Sequence, residues 1–193
     1  MPAEEAFGVV ARISSKVSIS VTADMEAGYH LTPKDFVNRL LDARAVGCNL
    51  EDWDHDAGGL VAADDQADWL RAVRGAASET GIDIVVNARI DSLGSEGDPD
   101  ELFEDAVRRA NLYFQAGADC VFPIRLTDED LIRDFVERVG GPVSIVGPGA
   151  PSLARLAQLG VARVSFAGHL MQGVLKDLEQ TLSSIATEVD SIP

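Results

Sequence analysis

VSISVTADMEAGYH, residues Val17–His30, supplies the first strand signal, the first turn and the first candidate chemistry of this chain. Apolar and small polar residues alternate, which puts Val17, Ile19, Val21 and Ala23 on one face and Ser18, Ser20, Thr22 and Asp24 on the other. The run closes on two acids one residue apart, Asp24 and Glu26, and turns at Gly28. A carboxylate pair at a strand end is either a solvated turn or half of a metal site.

Five further β-rich runs follow: Val46–Glu51, Ile82–Ala88, Ala118–Pro123, Pro142–Gly147 and Val161–Phe166. Amphipathic segments with readable helix starts lie between them. Thr32-Pro33 and Asp98-Pro99 each place a capping side chain before a proline suited to the first helical position, and Asp128 and Pro151 begin later helices. Gly47, Gly81, Gly117 and Gly160 fall where helices stop and strands begin. Strands alternating with helices predict parallel βαβ units in one α/β domain spanning 1–193.

Parity then sorts the strand ends. Gly47, Asn49 and Glu51 fall together opposite Cys48 and Leu50, and Val85, Asn87 and Arg89 fall together opposite Ile84, Val86 and Ala88. Three sequential strands thus end in Asp24, Glu51 and Arg89. Parallel α/β folds, barrels and open sheets alike, carry their sites at that edge.

Composition narrows the partners. A formal net charge of −16 opposes nucleic acid and anionic lipid, so neither is expected. No apolar run approaches the roughly 18 residues of a membrane helix. MPAEEAF puts acids where a secretory signal would be basic, and Cys48 and Cys120 sit in apolar runs as reduced core thiols would. A cytoplasmic location is the expectation. A small anionic substrate of so acidic a chain needs local cations.

Asp24, Glu26, Glu51 and Asp52 offer oxygen ligands at two neighbouring strand ends, the donor type hard cations such as Mg²⁺ prefer. Arg89 could grip a carboxylate or phosphoryl group with its two-pronged donors, and Tyr29 could present a hydroxyl. A metal bridging an oxo acid would stabilise the enolate charge that develops as an adjacent bond breaks. The competing reading makes these acids solvated loop ends with Arg89 paired to one of them. His30, His55 and His169 lack metal-ligand spacing and read as surface or capping residues; Trp53 and Trp69 read as packing.

ADMEAGY (Ala23–Tyr29), GCNLED (Gly47–Asp52), VNARID (Val86–Asp91), RANLYFQAGADCVFP (Arg109–Pro123) and LGVARVSF (Leu159–Phe166) together resemble the isocitrate lyase and phosphoenolpyruvate mutase superfamily. The resemblance covers about residues 17 to 166. It implies a TIM-barrel-like (β/α) fold that binds Mg²⁺, with Mn²⁺ an alternative, and makes or breaks C–C or P–C bonds beside a carboxylate. Asp24 matches the direct metal ligand; Glu26 and Glu51 match acids holding the metal largely through water. Arg89 matches the substrate-anion arginine, with Tyr29 and Gly28 in the same turn. Arg89, Asn87, Gly28 and Ser144 are candidate substrate contacts, and Ser144 stands where many relatives carry asparagine. Among catalytic candidates are Arg89, Glu51, Tyr29 and, as general acid or base, Asp52 or His55.

The departures are specific. The gating loop reads DWDHDAGGLVAADD and lacks the family's lysine and cysteine. About six of eight strands are legible, so the barrel is expected to be incomplete, its open edges covered by a homo-oligomeric partner. The leading expectation is a Mg²⁺-dependent lyase or mutase acting on a small carboxylic or phosphonic acid. The alternative is a diverged barrel serving ligand binding or assembly. A Schiff-base aldolase ranks last, because Lys16, Lys34 and Lys176 avoid strand C-termini.

Overall fold

Residues 1–190 and 192 are described by a computed structural model. The domain expectation of 1–193 therefore includes two positions, 191 and 193, that lie outside the described residues. Chain order is α1 (Ala3–Ser14), β1 (Thr22–Asp24), α2 (Pro33–Asp42), β2 (Gly47–Glu51), β3 (Trp53–Asp54), β4 (Gly59–Leu60), α3 (Ala63–Thr80), β5 (Val85–Ile90), α4 (Pro99–Gln115), β6 (Cys120–Pro123), α5 (Glu129–Arg138), β7 (Ser144–Val146), α6 (Leu153–Gln158), β8 (Arg163–Ser165) and α7 (His169–Asp190).

Four parallel strands pair in the order β1-β2-β5-β6, and β7 pairs parallel with β8. A single bridge, Val121 to Val143, joins the two groups. The six parallel strands therefore run in chain order around a curved strip that does not close. Its concavity is deep enough for Arg163 on β8 to donate to Asn49 on β2 at 3.2 Å.

The helix-facing side of the strip is aliphatic. Cys48, Leu50, Val86, Ala88 and Ile90 meet Phe36 and Leu40 of α2, Leu70 and Val73 of α3, and Ala106, Ala110 and Tyr113 of α4 in one continuous buried cluster. Each large apolar side chain buried this way contributes about 1.5–3 kcal/mol. β2 and β5 can approach closely at this level because position 47 is glycine: a Cβ there would stand 2.4 Å from the Val85 carbonyl oxygen. The expected helix starts are present. Thr32 accepts from the Asp35 N–H, and Asp98 and Asp128 each accept from two N–H groups of their own helices. The last short helix is capped by Ser152 rather than Pro151. Cys48 and Cys120 are free and buried, and burial pushes their thiols up to about 12 and about 11.

Three features depart from expectation. The first strand is confined to Thr22–Asp24, and Ile19 is 76% exposed. The alternation of Val17–Val21 was a fair strand signal, but no helix covers its apolar face. Ahead of it, α1 occupies residues read as having no element; Glu4 and Glu5 in its first turn and Arg12 in its last complement the helix dipole. The acid-rich loop contains a small hairpin, β3–β4, in which Asp54 Oδ1 accepts from the N–H groups of Asp56 and Ala57 and Gly58 takes the left-handed turn position.

Helix α7 stands apart, with no buried residue. Leu170, Val174, Leu178, Leu182 and Ile185 recur at three- and four-residue spacing along one exposed stripe.

Candidate active site

The C-terminal edge of the strip collects the chemistry. In register, Asp24 lies beside Asn49 and Asn49 beside Asn87; one step further up, Glu51 lies beside Arg89. Strand pairing continues past β1, since the Glu51 N–H donates to the Glu26 carbonyl at 3.0 Å. Met25, between Asp24 and Glu26 in sequence, is fully buried in the core cluster.

The turn after the acid pair is tightly wound. Glu26, Tyr29 and His30 all take left-handed backbone at φ 49, 55 and 54, beside Gly28 at φ 85. Non-glycine residues there are sparse and cluster at functional sites. Gly28 itself faces Trp69, where a Cβ would meet the indole at 2.7 Å, so its role is close packing and not contact with a ligand.

The Tyr29 hydroxyl reports the surrounding charge. Partial burial, then the charge and hydrogen bond of Glu26, then the charges of Asp24 and Glu51, push it up to about 12. Glu51 is almost fully buried and forms an ion pair with Arg89 at 2.6 Å; its other oxygen meets His55 Nε2. Burial raises the Glu51 carboxyl, and Arg89 and His55 only partly offset this. Arg89 also pairs with Asp91 at 2.6 Å, while its Nε and the second Asp91 oxygen are buried without partners among the described residues.

Asn49 organises the layer beneath. Its Oδ1 accepts from Asn87 Nδ2 at 2.7 Å and from Arg163, which turns its Nδ2 toward Asp24 Oδ2 at 3.4 Å. Asn87 and Ser144 are buried in this region, and Asn87 Oδ1 and Ser144 Oγ have no partner among the described residues. They lie below the mouth, so contact with a substrate would require it to reach into the strip.

Asp52 is a correction. One residue beyond Glu51, it points to the opposite, helix-facing side and has 0% exposure. Its oxygens accept from Tyr113 at 2.6 Å, Arg109 at 3.0 Å and the Asp91 N–H at 2.8 Å. Burial raises this carboxyl, and those donors hold it in place. It is a brace for the strand ends and has no access to a ligand.

Two cavities open at the mouth. One of about 550 Å³ is lined by Glu26, Tyr29, His30, Asp65, Gln66 and Trp69. The other, of about 370 Å³, is lined by Trp53, Arg89, Asp91, Gly94, Ile124 and Arg125. His55 lines both. Arg125, Asp91 and the bracing pair Arg109–Tyr113 were not singled out from the sequence, although three of these four lie inside motifs quoted above; Arg125 lies two residues past Pro123, the end of the fourth motif.

The oxygen donors at the mouth suit a hard cation. Among the described residues no three carboxylate, imidazole or thiol side chains form a ready cage. An ion bound through one or two carboxylates and several waters does not need one, and the exposed Asp24 next to Glu26 and Glu51 fits that manner of binding.

Residues 1–186 match the family model of phosphoenolpyruvate phosphomutase. The chain belongs to that family. Within the phosphoenolpyruvate phosphomutase family it is 34% identical over 135 residues to a 2-methylisocitrate lyase of Aeropyrum pernix, covering 66% of this chain and 41% of the relative. It is 28% identical over 170 residues to the Escherichia coli K12 2-methylisocitrate lyase, covering 82% and 55%. The chain thus spans about half the length of the curated relatives it matches. A putative phosphonomutase from Burkholderia cenocepacia J2315 superposes with a TM-score of 0.88 at 32% identity, covering 95% of this chain and 76% of that one. The TIM-barrel-like fold and the superfamily read from the motifs are thereby established, with the strip of strands open in this structure. No helix among the described residues is long and apolar enough to cross a membrane.

Proposed function

We propose that the protein is a Mg²⁺-dependent enzyme of the lyase or mutase type, making or breaking a C–C or P–C bond beside a carboxylate in a small acid. The observation that carries this reading is the gathering of Asp24, Glu51 and Arg89 at the ends of three paired parallel strands, with Arg89 paired to Glu51 at 2.6 Å. Asp24 would hold the ion directly, and Glu26 and Glu51 would hold its waters; Mn²⁺ would serve the same donors. When bound, the ion supplies charge stabilisation for the enolate that forms as the bond breaks.

The chain's own groups have separable jobs. Arg89 binds and orients the substrate carboxylate, using the donor now left free on Nε and those now shared with Glu51 and Asp91. His55 is the proposed proton carrier, because it touches Glu51, is half exposed and borders both cavities. Tyr29 stays protonated and can donate to a developing oxyanion. The names of the relatives, 2-methylisocitrate lyase above all, support small carboxylic acids as the substrate class.

A thermal-shift titration tests this. Mg²⁺ followed by oxalate, an enolate mimic, is expected to raise the melting temperature of the wild type, and Asp24→Ala is expected to lose the Mg²⁺-dependent part. Equal stabilisation of both proteins would remove the metal assignment.

The second reading, a diverged scaffold used for assembly, draws on α7, whose apolar stripe is wholly exposed. Self-association is compatible with either function, and we take the protein to be a homo-oligomer whose partner covers that stripe and the open strand edges.

A further inference from the structure

Arg125 follows β6 directly, at the same edge of the strip as Arg89. Its backbone is left-handed at φ 69. Glycine or asparagine is the commoner choice there, and Arg44 at φ 60 is the other arginine with such a backbone. The turn is tight, with the Leu126 N–H reaching back to the Pro123 carbonyl.

The guanidinium that this backbone projects is placed but unpaired. It lies against Gly94, where a Cβ would come within 3.4 Å of Arg125 Cζ and Nε, so the glycine leaves the space that the flat group occupies. No hydrogen bond or ion pair to Arg125 is found among the described residues, whereas Arg71, Arg74, Arg89, Arg108, Arg109, Arg133, Arg138 and Arg155 each pair with a carboxylate. Arg12, Arg39, Arg44 and Arg163 also have no carboxylate partner among the described residues; what sets the exposed Arg125 apart is its place at the mouth.

Arg125 and Arg89 line one cavity of about 370 Å³, together with Trp53, His55 and Asp91. Glu51 and Asp91 both pair with Arg89, so the two acids and the two arginines balance in charge, and no ion pair among the described residues holds the Arg125 charge itself. A ligand held by one carboxylate at Arg89 would extend toward that charge.

We propose that Arg125 is a specificity-determining residue that binds a second anionic group of the substrate, separated from the first carboxylate by at least one carbon. Resting on the reading of the mouth as an acid-binding site, this narrows the substrate class from small acids in general to acids with a remote second negative charge. Arginine suits the task because its planar fork matches a carboxylate with two parallel hydrogen bonds. Tyr29 and His55 would be left free to act at the reacting end.

The test is calorimetry on the full chain with Mg²⁺, using oxalate and malate as probes against the wild type, Arg125→Gly and Arg125→Lys. Oxalate is too compact to span both arginines, whereas malate separates its carboxylates by two carbons. Glycine suits φ 69, so this variant is expected to melt no lower than the wild type. The expected result is malate affinity weakened about tenfold or more in Arg125→Gly, intermediate in Arg125→Lys, with oxalate affinity unchanged within about twofold. Parallel loss of both ligands, or loss of neither, overturns the role of Arg125 and leaves the wider function standing. A wild type that binds neither probe overturns both.

Discussion

Arg109 Nη1 stands 3.0 Å from Asp52 Oδ2, on the helix-facing side of the strip, with Tyr113 donating to the same oxygen. The same Arg109 nitrogen donates to the Val61 carbonyl, and its Nε pairs with Asp105. One guanidinium thus ties α4 to the end of β2 and to the segment leaving the hairpin. Arg109→Met strands a carboxylate with no exposure and is expected to cost about 3–5 kcal/mol in urea unfolding. Adding Asp52→Asn should recover part of that loss. An additive double variant would show that the two charges do not interact.

Asn49 fixes Asp24 by having its own oxygen occupied from two sides. Asn49→Leu removes the donor to Asp24 and is expected to weaken Mg²⁺ binding about tenfold, the usual effect of deleting a group that orients a ligand. Calorimetry reads that directly. Unchanged affinity would mean that Asp24 needs no support.

The buried thiol of Cys48 carries the clearest pH dependence. Its folded value of about 12 lies above the ordinary 9.0, so the unfolded chain loses this proton first as the solution becomes alkaline. The stabilising contribution is complete below about pH 9 and drains away as pH rises toward 12. Cys48→Ala should flatten the fall in stability across that window relative to the wild type in denaturant melts. Identical slopes for the two proteins would refute the shift.

The stripe on α7 predicts self-association. Light scattering at micromolar concentration should return a mass above that of one chain, and Leu178→Glu with Leu182→Glu should shift it toward the monomer while keeping the far-ultraviolet helix signal. A monodisperse wild-type monomer would contradict the oligomeric reading.

The order of strands and helices was legible because capping residues, glycines and alternation all agreed, as at Thr32-Pro33 and Asp98-Pro99. The convergence of Asp24, Glu51 and Arg89 on one edge followed from parity alone. The same parity, carried one residue further, turns Asp52 away from Glu51, but the acidic surroundings disguised it as another mouth carboxylate. Val17–Val21 misled because alternation marks a face that could be buried without saying whether anything lies over it. Ser144 opens β7 and Asn87 falls mid-strand in β5, and depth within the strip depends on strand stagger, which a sequence does not display. Arg125 escaped notice because nothing in the letters VFPIRL announces a left-handed backbone; that signal exists only in the coordinates.

The clasp of Glu51 and Asp91 around Arg89 has a bearing on selectivity. An incoming anion meets a cation already neutralised, so docking is an exchange in which a resident carboxylate must let go. Chloride or a stray phosphate brings nothing to compensate the released acid. A ligand arriving with a divalent ion does, because the liberated Glu51 can turn to the newcomer's metal. The resting protein would then ignore most small anions of its surroundings and open only to the paired combination.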